Sequence, residues 1–307
     1  MSPDRAAGVG DWRRPADNRA ALVAVAATGR VAPARLFPEL LDRGRDGTVT
    51  ILPGHGGVAL GVHAGDAVER WLADHLTVGA AIEDADGSPA VPGPLHQLAC
   101  VGNVVRDAAG RRLGVVAGKR GGLAPGFLPP NLVAVEAPDE RLASLVPGDR
   151  VVVEALGRGL ALLERPEVAL LNLAPRALDA LPLDEEGGRL RIAARAVVPS
   201  RAVGPGLGQD PWIGDLEIAD PSALEPLVEL RFGDLVAFGA VDGAGGRFHR
   251  PGYVAVGLVA HGPSPAAGHG VGVTLLLSGP EERLAVHVEA GASLARALRR
   301  WSAEPRA

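Results

Sequence analysis

The sequence predicts a mainly β, multidomain protein built of small β-barrel modules with few short helices. Three observations carry this reading. Glycine and proline, 42 and 26 of 307 residues, interrupt nearly every apolar run before it reaches helix length. The runs that remain are short, partly β-branched and bounded by turn residues, which marks them as strands. A Gly-Asp pair enters such a run three times, at Gly65-Asp66, Gly148-Asp149 and Gly233-Asp234. Glycine supplies the dihedral that a tight turn needs and aspartate accepts from a nearby amide, so these aspartates are read as structural.

Taken in order, residues 1–19 are polar and form an N-terminal arm. Residues 20–99 form a β-rich N-terminal domain: a strand pair in 20–31 broken at Thr28-Gly29, a short helix in 33–41, and a strand at Thr48–Leu52 running into a glycine-rich loop that carries His55. Residues 100–198 form a central small-barrel region. It opens on the apolar 100–105 stretch, turns at Asp107–Arg112, and continues through strands at Leu113–Ala117 and Asn131–Val135 and, in 151–163, a strand, a bend at Gly157/Gly159 and a further apolar piece, with short helices at 138–146 and Pro175–Ala180. Residues 199–307 form a C-terminal β-rich domain. Its irregular 199–215 crossing is long enough to be functional, a helix at Pro221–Val228 is capped by Asp220, two strands fill 254–279, and a terminal helix at Gly291–Trp301 places Leu294, Ala297, Leu298 and Trp301 on one side.

Composition narrows the function classes. The formal charge is −5 and the pI about 5.9, which gives no long-range attraction to a phosphate backbone, so nucleic acid is an unlikely partner. No apolar run approaches the length of about 18 residues that a membrane span needs, and the N-terminus lacks a secretion signal. The single cysteine, Cys100, excludes an intrachain disulfide and a multi-thiolate metal site. The chain is expected to be cytoplasmic and homo-oligomeric.

Three groups of residues carry candidate chemistry. His261 and His269 sit at opposite ends of a Gly/Pro/Ser loop between two strands, and Asp215 lies at the end of the 199–215 crossing. Two imidazoles and a carboxylate suit a divalent metal such as zinc, manganese or iron, with Asp215 or His269 also available as base. Cys100 is a candidate nucleophile for an amide-type carbon, supported by His96 or a histidine from the C-terminal domain, with Asn103 at the oxyanion position. Lys119 and Arg120, set among Gly118, Gly121 and Gly122, suit a carboxylate or phosphate; Arg201, Gly206 and Arg247 are candidates to complete that pocket. Neither this segment nor Gly204–Gly208 has the spacing of a nucleotide-binding loop, so no nucleotide cofactor is expected. The favoured expectation is a metal-assisted hydrolase or lyase acting on a small polar or anionic substrate. A cysteine-dependent amidohydrolase and a non-catalytic RNA- or protein-binding module are the alternatives.

A collinear series of motifs resembles the family catalogued as domain of unknown function 4438. It consists of LPGHGG at 52–57, CVGNVV at 100–105, VAGKRGG at 116–122, LGRGLALLERPEV at 156–168, VVPSRAVGPGLG at 197–208, GDLEI at 214–218, RFGD at 231–234 and HGPSPAAGHGVGVTLLL at 261–277. The resemblance implies a compact, mainly β protein with a small barrel in the middle, and it implies no reaction. Relatives carry a histidine where this chain has Arg120, threonine in place of His55 and an acidic residue at the position of Val104, so none of those positions is expected to act as a catalytic histidine or carboxylate here. Residues 100–135 also resemble the glycine hairpin of small barrels that contact RNA, and Arg106, Arg111, Arg112, Lys119 and Arg120 supply its cations.

Overall fold

Short runs in the first half of the chain form β1 (Val25–Val31), the two-residue strands β2 (Asp42–Arg43) and β3 (Val49–Thr50), β4 (Ala80–Asp84), β5 (Val104–Asp107), β6 (Arg112–Arg120), β7 (Leu132–Glu136) and β8 (Arg150–Ala155). Six of them close a barrel in the order β1-β4-β7-β6-β5-β8, with every neighbouring pair antiparallel. Closure leaves no unpaired edge. Val31, Ile82, Val116, Val135 and Val153 are among its core residues, and Leu95 of the short helix α1 (Pro94–Leu98) packs into the same cluster. The computed structural model describes residues 14–35, 42–43, 46–47, 49–50, 52, 54, 56–86, 92–122, 131–266 and 268–305. His55, most of the 1–19 arm and most of the helix expected at 33–41 lie outside the described residues.

The second half is a different architecture. The remaining strands are β9 (Ala169–Leu170), β10 (Leu183–Glu186), β11 (Arg189–Ala194), β12 (Ala196–Val198), β13 (Leu216–Ile218), β14 (Leu235–Asp242), β15 (Phe248–His261), β16 (Val271–Pro280) and β17 (Leu284–Val288). A six-stranded sheet runs β12-β14-β15-β16-β13, with β9 also paired to β16. A small sheet runs β10-β11-β17. The long strands read as continuous apolar runs because both faces are covered: Val254 through His261 and Val271 through Gly279 are buried throughout. Each fully buried Val or Leu there contributes about 1.5–3 kcal/mol relative to exposure.

The three Gly-Asp turns share one geometry. Each aspartate accepts a hydrogen bond from the amide three residues earlier, His63 to Asp66 at 2.8 Å, Val146 to Asp149 at 2.9 Å and Arg231 to Asp234 at 3.0 Å. The glycine before each has φ between +90° and +100°, the region that L side chains avoid. The aspartates are structural, as read from the sequence.

Several boundaries differ from expectation. The expected division at 99/100 runs through the barrel, which takes β1 and β4 from one side and β5–β8 from the other. β1 continues through Thr28-Gly29 because Thr28 and Gly29 pair with Val152 and Val151 on β8. The helix expected at Pro221–Val228 is a single 3-10 turn, Pro221–Ala223, with Asp220 accepting from the Ser222 amide. Glu225 instead pairs with Val197, the two exchanging both backbone hydrogen bonds, and Pro226 lacks the N–H that a helix would use. The helices expected at 138–146 and 175–180 are α2 (Asp139–Leu142) and α3 (Pro175–Ala180). The terminal helix α4 (Ala295–Ser302) buries Leu298 and Trp301. Arg141 of α2 fastens its end to the barrel by donating to the carbonyls of Ser302 and Glu304.

Candidate functional site

The barrel and the six-stranded sheet meet where β6 packs on β15 and β16. At that junction five segments converge: the 74–77 loop, the end of β6, the start of β13, the end of β15 and the start of β16. The arrangement follows from register. Glu217 on β13 pairs with Gly272 on β16, and Gly272 pairs with His261 on β15. Residues directly opposite one another share a face, so His261, Gly272 and Glu217 form one row across three strands. The middle position must be bare. A Cβ on Gly272 would sit 1.8 Å from His261 Nε2, so only glycine lets the imidazole lie across the row toward the carboxylates.

His261 Nε2 lies 2.9 Å from Asp215 Oδ2, and its Nδ1 lies 2.8 Å from the Gly262 carbonyl. A carbonyl only accepts, so Nδ1 carries a proton and Nε2 is the nitrogen aimed at the site. Asp215 Oδ1 accepts from the Gly121 amide at 2.9 Å. Glu217 Oε1 lies 3.0 Å from His269 Nδ1, and Oε2 accepts from the Gly270 amide at 2.7 Å. His75 arrives from the N-terminal half. Its loop pairs with the end of β15, where the His75 amide donates to the Pro263 carbonyl and the Gly262 amide to the Leu76 carbonyl. His75 holds φ +50°, a strained value for a non-glycine residue. Its Nδ1 lies 2.7 Å from Asp74 Oδ1, and its Nε2 lies 3.7 Å from Glu217 Oε1. The His75 ring centre is 5.0 Å from that of His261 and 5.4 Å from that of His269.

Electrostatics at this centre are unusual for a protein interior. Asp74, His75, Arg120, Asp215, Glu217 and His261 are all buried, and His269 alone of the three imidazoles is partly exposed. Burial by itself would raise Glu217, but hydrogen bonds from His269 and His75 hold its carboxyl below the usual carboxylate range. The bond to Glu217 raises His269 in turn. Burial lowers Arg120, and the charges of Asp215, Asp74 and Glu217 oppose that. With neutral imidazoles, three carboxylates against one guanidinium leave a net charge of −2. One ligand atom each from His75, Glu217 and His269 lie within 4.8 Å of one another, and so do one each from Asp215, Glu217 and His261.

The structure therefore brings together His261, Asp215, Arg120 and Gly121, with His269 joined through Glu217. Gly206 backs the centre. With φ +101°, it lies where a Cβ would meet the Asp215 carbonyl oxygen at 2.2 Å, so its part is close packing behind Asp215. Arg201 is exposed on a 3-10 turn, Ser200–Ala202, and makes none of the contacts that build the centre. Lys119 is a correction. Successive residues of a strand face opposite sides, and Lys119 turns away from Arg120 to donate to Asn172 Oδ1 at 2.9 Å and the Trp212 carbonyl at 3.0 Å. Arg247 is also spent on backbone, donating to the carbonyls of Asp210, Ile213 and Asp215.

Cys100 is a second correction. It is fully buried, burial pushes its thiol up to about 11, and its Sγ faces the Leu98 carbonyl at 3.5 Å. His96 makes no hydrogen bond to it: its Nε2 accepts from the Gly214 amide and its Nδ1 has no hydrogen-bond partner among the described residues. Asn103 is occupied with the Cys100 amide and the Leu156 carbonyl. The cations of the RNA-type hairpin are committed too: Arg106 pairs with Glu154, Arg111 with Asp107 and Arg112 with Glu304, while Lys119 and Arg120 are buried.

Sequence reading missed three members of the centre. Glu217 had a signal, because Asp215 and Glu217 stand two apart at a strand start and so share a face. Asp74 and His75 had none, being consecutive polar residues in a stretch with no period.

The fold and this centre together define a two-part β protein, a closed barrel against a six-stranded sheet, with a buried histidine–carboxylate cluster at the junction. The described residues contain no helix long and apolar enough to cross a membrane. The chain belongs to the family described as "Domain of unknown function (DUF4438)", whose N-terminal part matches residues 42–179 and whose C-terminal part matches residues 180–298. The change of architecture from barrel to sheets falls near that junction. The chain is similar to the protein in "Crystal structure of TM1086", with a TM-score of 0.81 and 30% identity over 92% of this chain and 99% of that one. Among curated proteins none matches.

Proposed function

We propose that the chain is a metal-assisted hydrolase or lyase acting on a small polar or anionic substrate at the His75, Asp215, Glu217, His261 and His269 centre. The observation that carries this is the convergence of imidazole nitrogens and carboxylate oxygens within 4.8 Å in a buried setting. His261 has its Nδ1 fixed by the Gly262 carbonyl and its Nε2 aimed inward, and His75 has its Nδ1 2.7 Å from Asp74 Oδ1 with its Nε2 turned toward Glu217. That is how metal-ligating histidines are held. The excess of carboxylates over Arg120 also suits a divalent cation, and the nitrogen–oxygen donor set suits zinc, manganese or iron.

A bound divalent ion supplies Lewis acidity and an activated water. The chain supplies the rest. Arg120 places a permanent cation beside the carboxylates, where it would orient an anionic group of the substrate. Partly exposed, His269 stands on the solvent side of the cluster. A reducing cytoplasm suits the buried lone thiol, and exposed apolar side chains such as Val23, Leu72 and Leu227 suit self-association. Metal analysis of full-length protein purified without an affinity tag tests the reading. At least one transition metal per chain is expected, with a melting temperature that falls on chelation. A folded, metal-free protein whose melting temperature ignores added zinc and manganese would overturn it.

A further inference from the structure

We infer that the centre is built for two metal ions that share Glu217, an inference that rests on the metal reading above. The two convergent donor sets are different sets, His75, Glu217 and His269 on one side and Asp215, Glu217 and His261 on the other, with Glu217 as their common member. Each set offers nitrogen and carboxylate oxygen, so each is a ligand set in its own right. Glu217 lies between them by construction: it stands on β13, beyond Gly272 in the row from His261, while its Oε1 reaches His269 at 3.0 Å and His75 at 3.7 Å. Asp215, two residues away on the same face, reaches only the His261 side. The strained φ of +50° at His75 fits the same design, since it is the backbone of the 74–77 loop that delivers a third imidazole to a site already holding two.

Charge sets the substrate class. Two divalent cations with Arg120 outweigh Asp74, Asp215 and Glu217 by two positive charges, in a region sheltered from water. An anion bridging the pair, such as a hydroxide or a phosphate or carboxylate oxygen of the substrate, restores the balance. Paired ions clamping one anionic group are a known arrangement for hydrolytic displacement.

The test is metal stoichiometry. Full-length wild-type protein, stripped with a chelator and dialysed against zinc or manganese, is expected to hold two ions per chain by elemental analysis. His75→Ala and His261→Ala are each expected to retain one, and Glu217→Gln to weaken both ions at least tenfold, with circular dichroism confirming that each variant is folded. Manganese-loaded wild type is expected to show an exchange-coupled electron paramagnetic resonance signal that His75→Ala lacks. One ion per chain in the wild type, lost completely in both histidine variants, would overturn the paired site and leave the metal reading standing. No ion in folded wild type would overturn both.

Discussion

Lys119 and Arg120 are neighbours on β6, and the two pockets they enter have opposite characters. On the Lys119 side, the buried cations meet neutral acceptors: Lys119 donates to Asn172 and Trp212 and Arg247 to three carbonyls, while His96 accepts from Gly214 and, among the described residues, the His96 Nδ1 and Arg247 Nε are left without a hydrogen bond. On the Arg120 side, carboxylates outnumber cations: Asp74, Asp215 and Glu217 lie with three imidazoles beside one guanidinium. Both pockets are buried and both carry charge. On the metal reading proposed above, the first pocket is scaffold and the second, with its excess of carboxylates, is the one that would take up a cation.

The largest effect that would break this contrast is on stability. Arg247→Leu strands the carbonyls of Asp210, Ile213 and Asp215 and is expected to cost about 3–5 kcal/mol in urea unfolding. A loss below about 1 kcal/mol would show that the Lys119 side does not depend on its pairing.

The second effect is a pH window. Burial pushes Lys119 down to about 8 from its ordinary 10.5, so between those values the unfolded chain holds a proton that the native chain has released. Stability from this group therefore rises with pH across that window, by about 3 kcal/mol, and is lost below about pH 8. Cys100 acts in the opposite sense. Its thiol is raised from 9.0 to about 11, so its contribution is complete below pH 9 and is lost as pH rises through about 11. Wild type is expected to gain stability from pH 8 to 9 and then level off, while Cys100→Ser continues to rise. Identical curves for the two proteins would remove this account of the pocket.

The third effect sharpens the other side. Gly272→Ala displaces the His261 ring and is expected to weaken metal binding about 10–100-fold, measured by titration with zinc. In a His261→Ala background the same change should add little, because the ring it displaces is already gone. Additive losses would mean that Gly272 acts through something other than that ring.

Legibility in the sequence followed the range of the interaction that fixed each feature. The Gly-Asp turns were readable because each is closed by a hydrogen bond over three residues, and α3 was readable from Pro175 at its first position. The barrel's membership was not, since β1 pairs with β8 across more than a hundred residues. In the centre, His261 and His269 stood out at the two ends of a loop between apolar runs, and Asp215 at the end of the irregular 199–215 crossing. His75 reaches them only because its loop is hydrogen-bonded to the far end of β15, a contact that no local pattern encodes. Lys119 was misread for the opposite reason: two adjacent cations suggested one pocket, and strand alternation sent them to two.

The bare α-carbon of Gly272 turns one codon into a diagnostic. Any chain of this architecture with a bulkier residue at the matching point of the sheet has no room for the ring beside it. On the metal reading proposed above, such a chain would keep the frame and lose one imidazole of the cluster, so that one letter tells whether the row across the three strands can be complete.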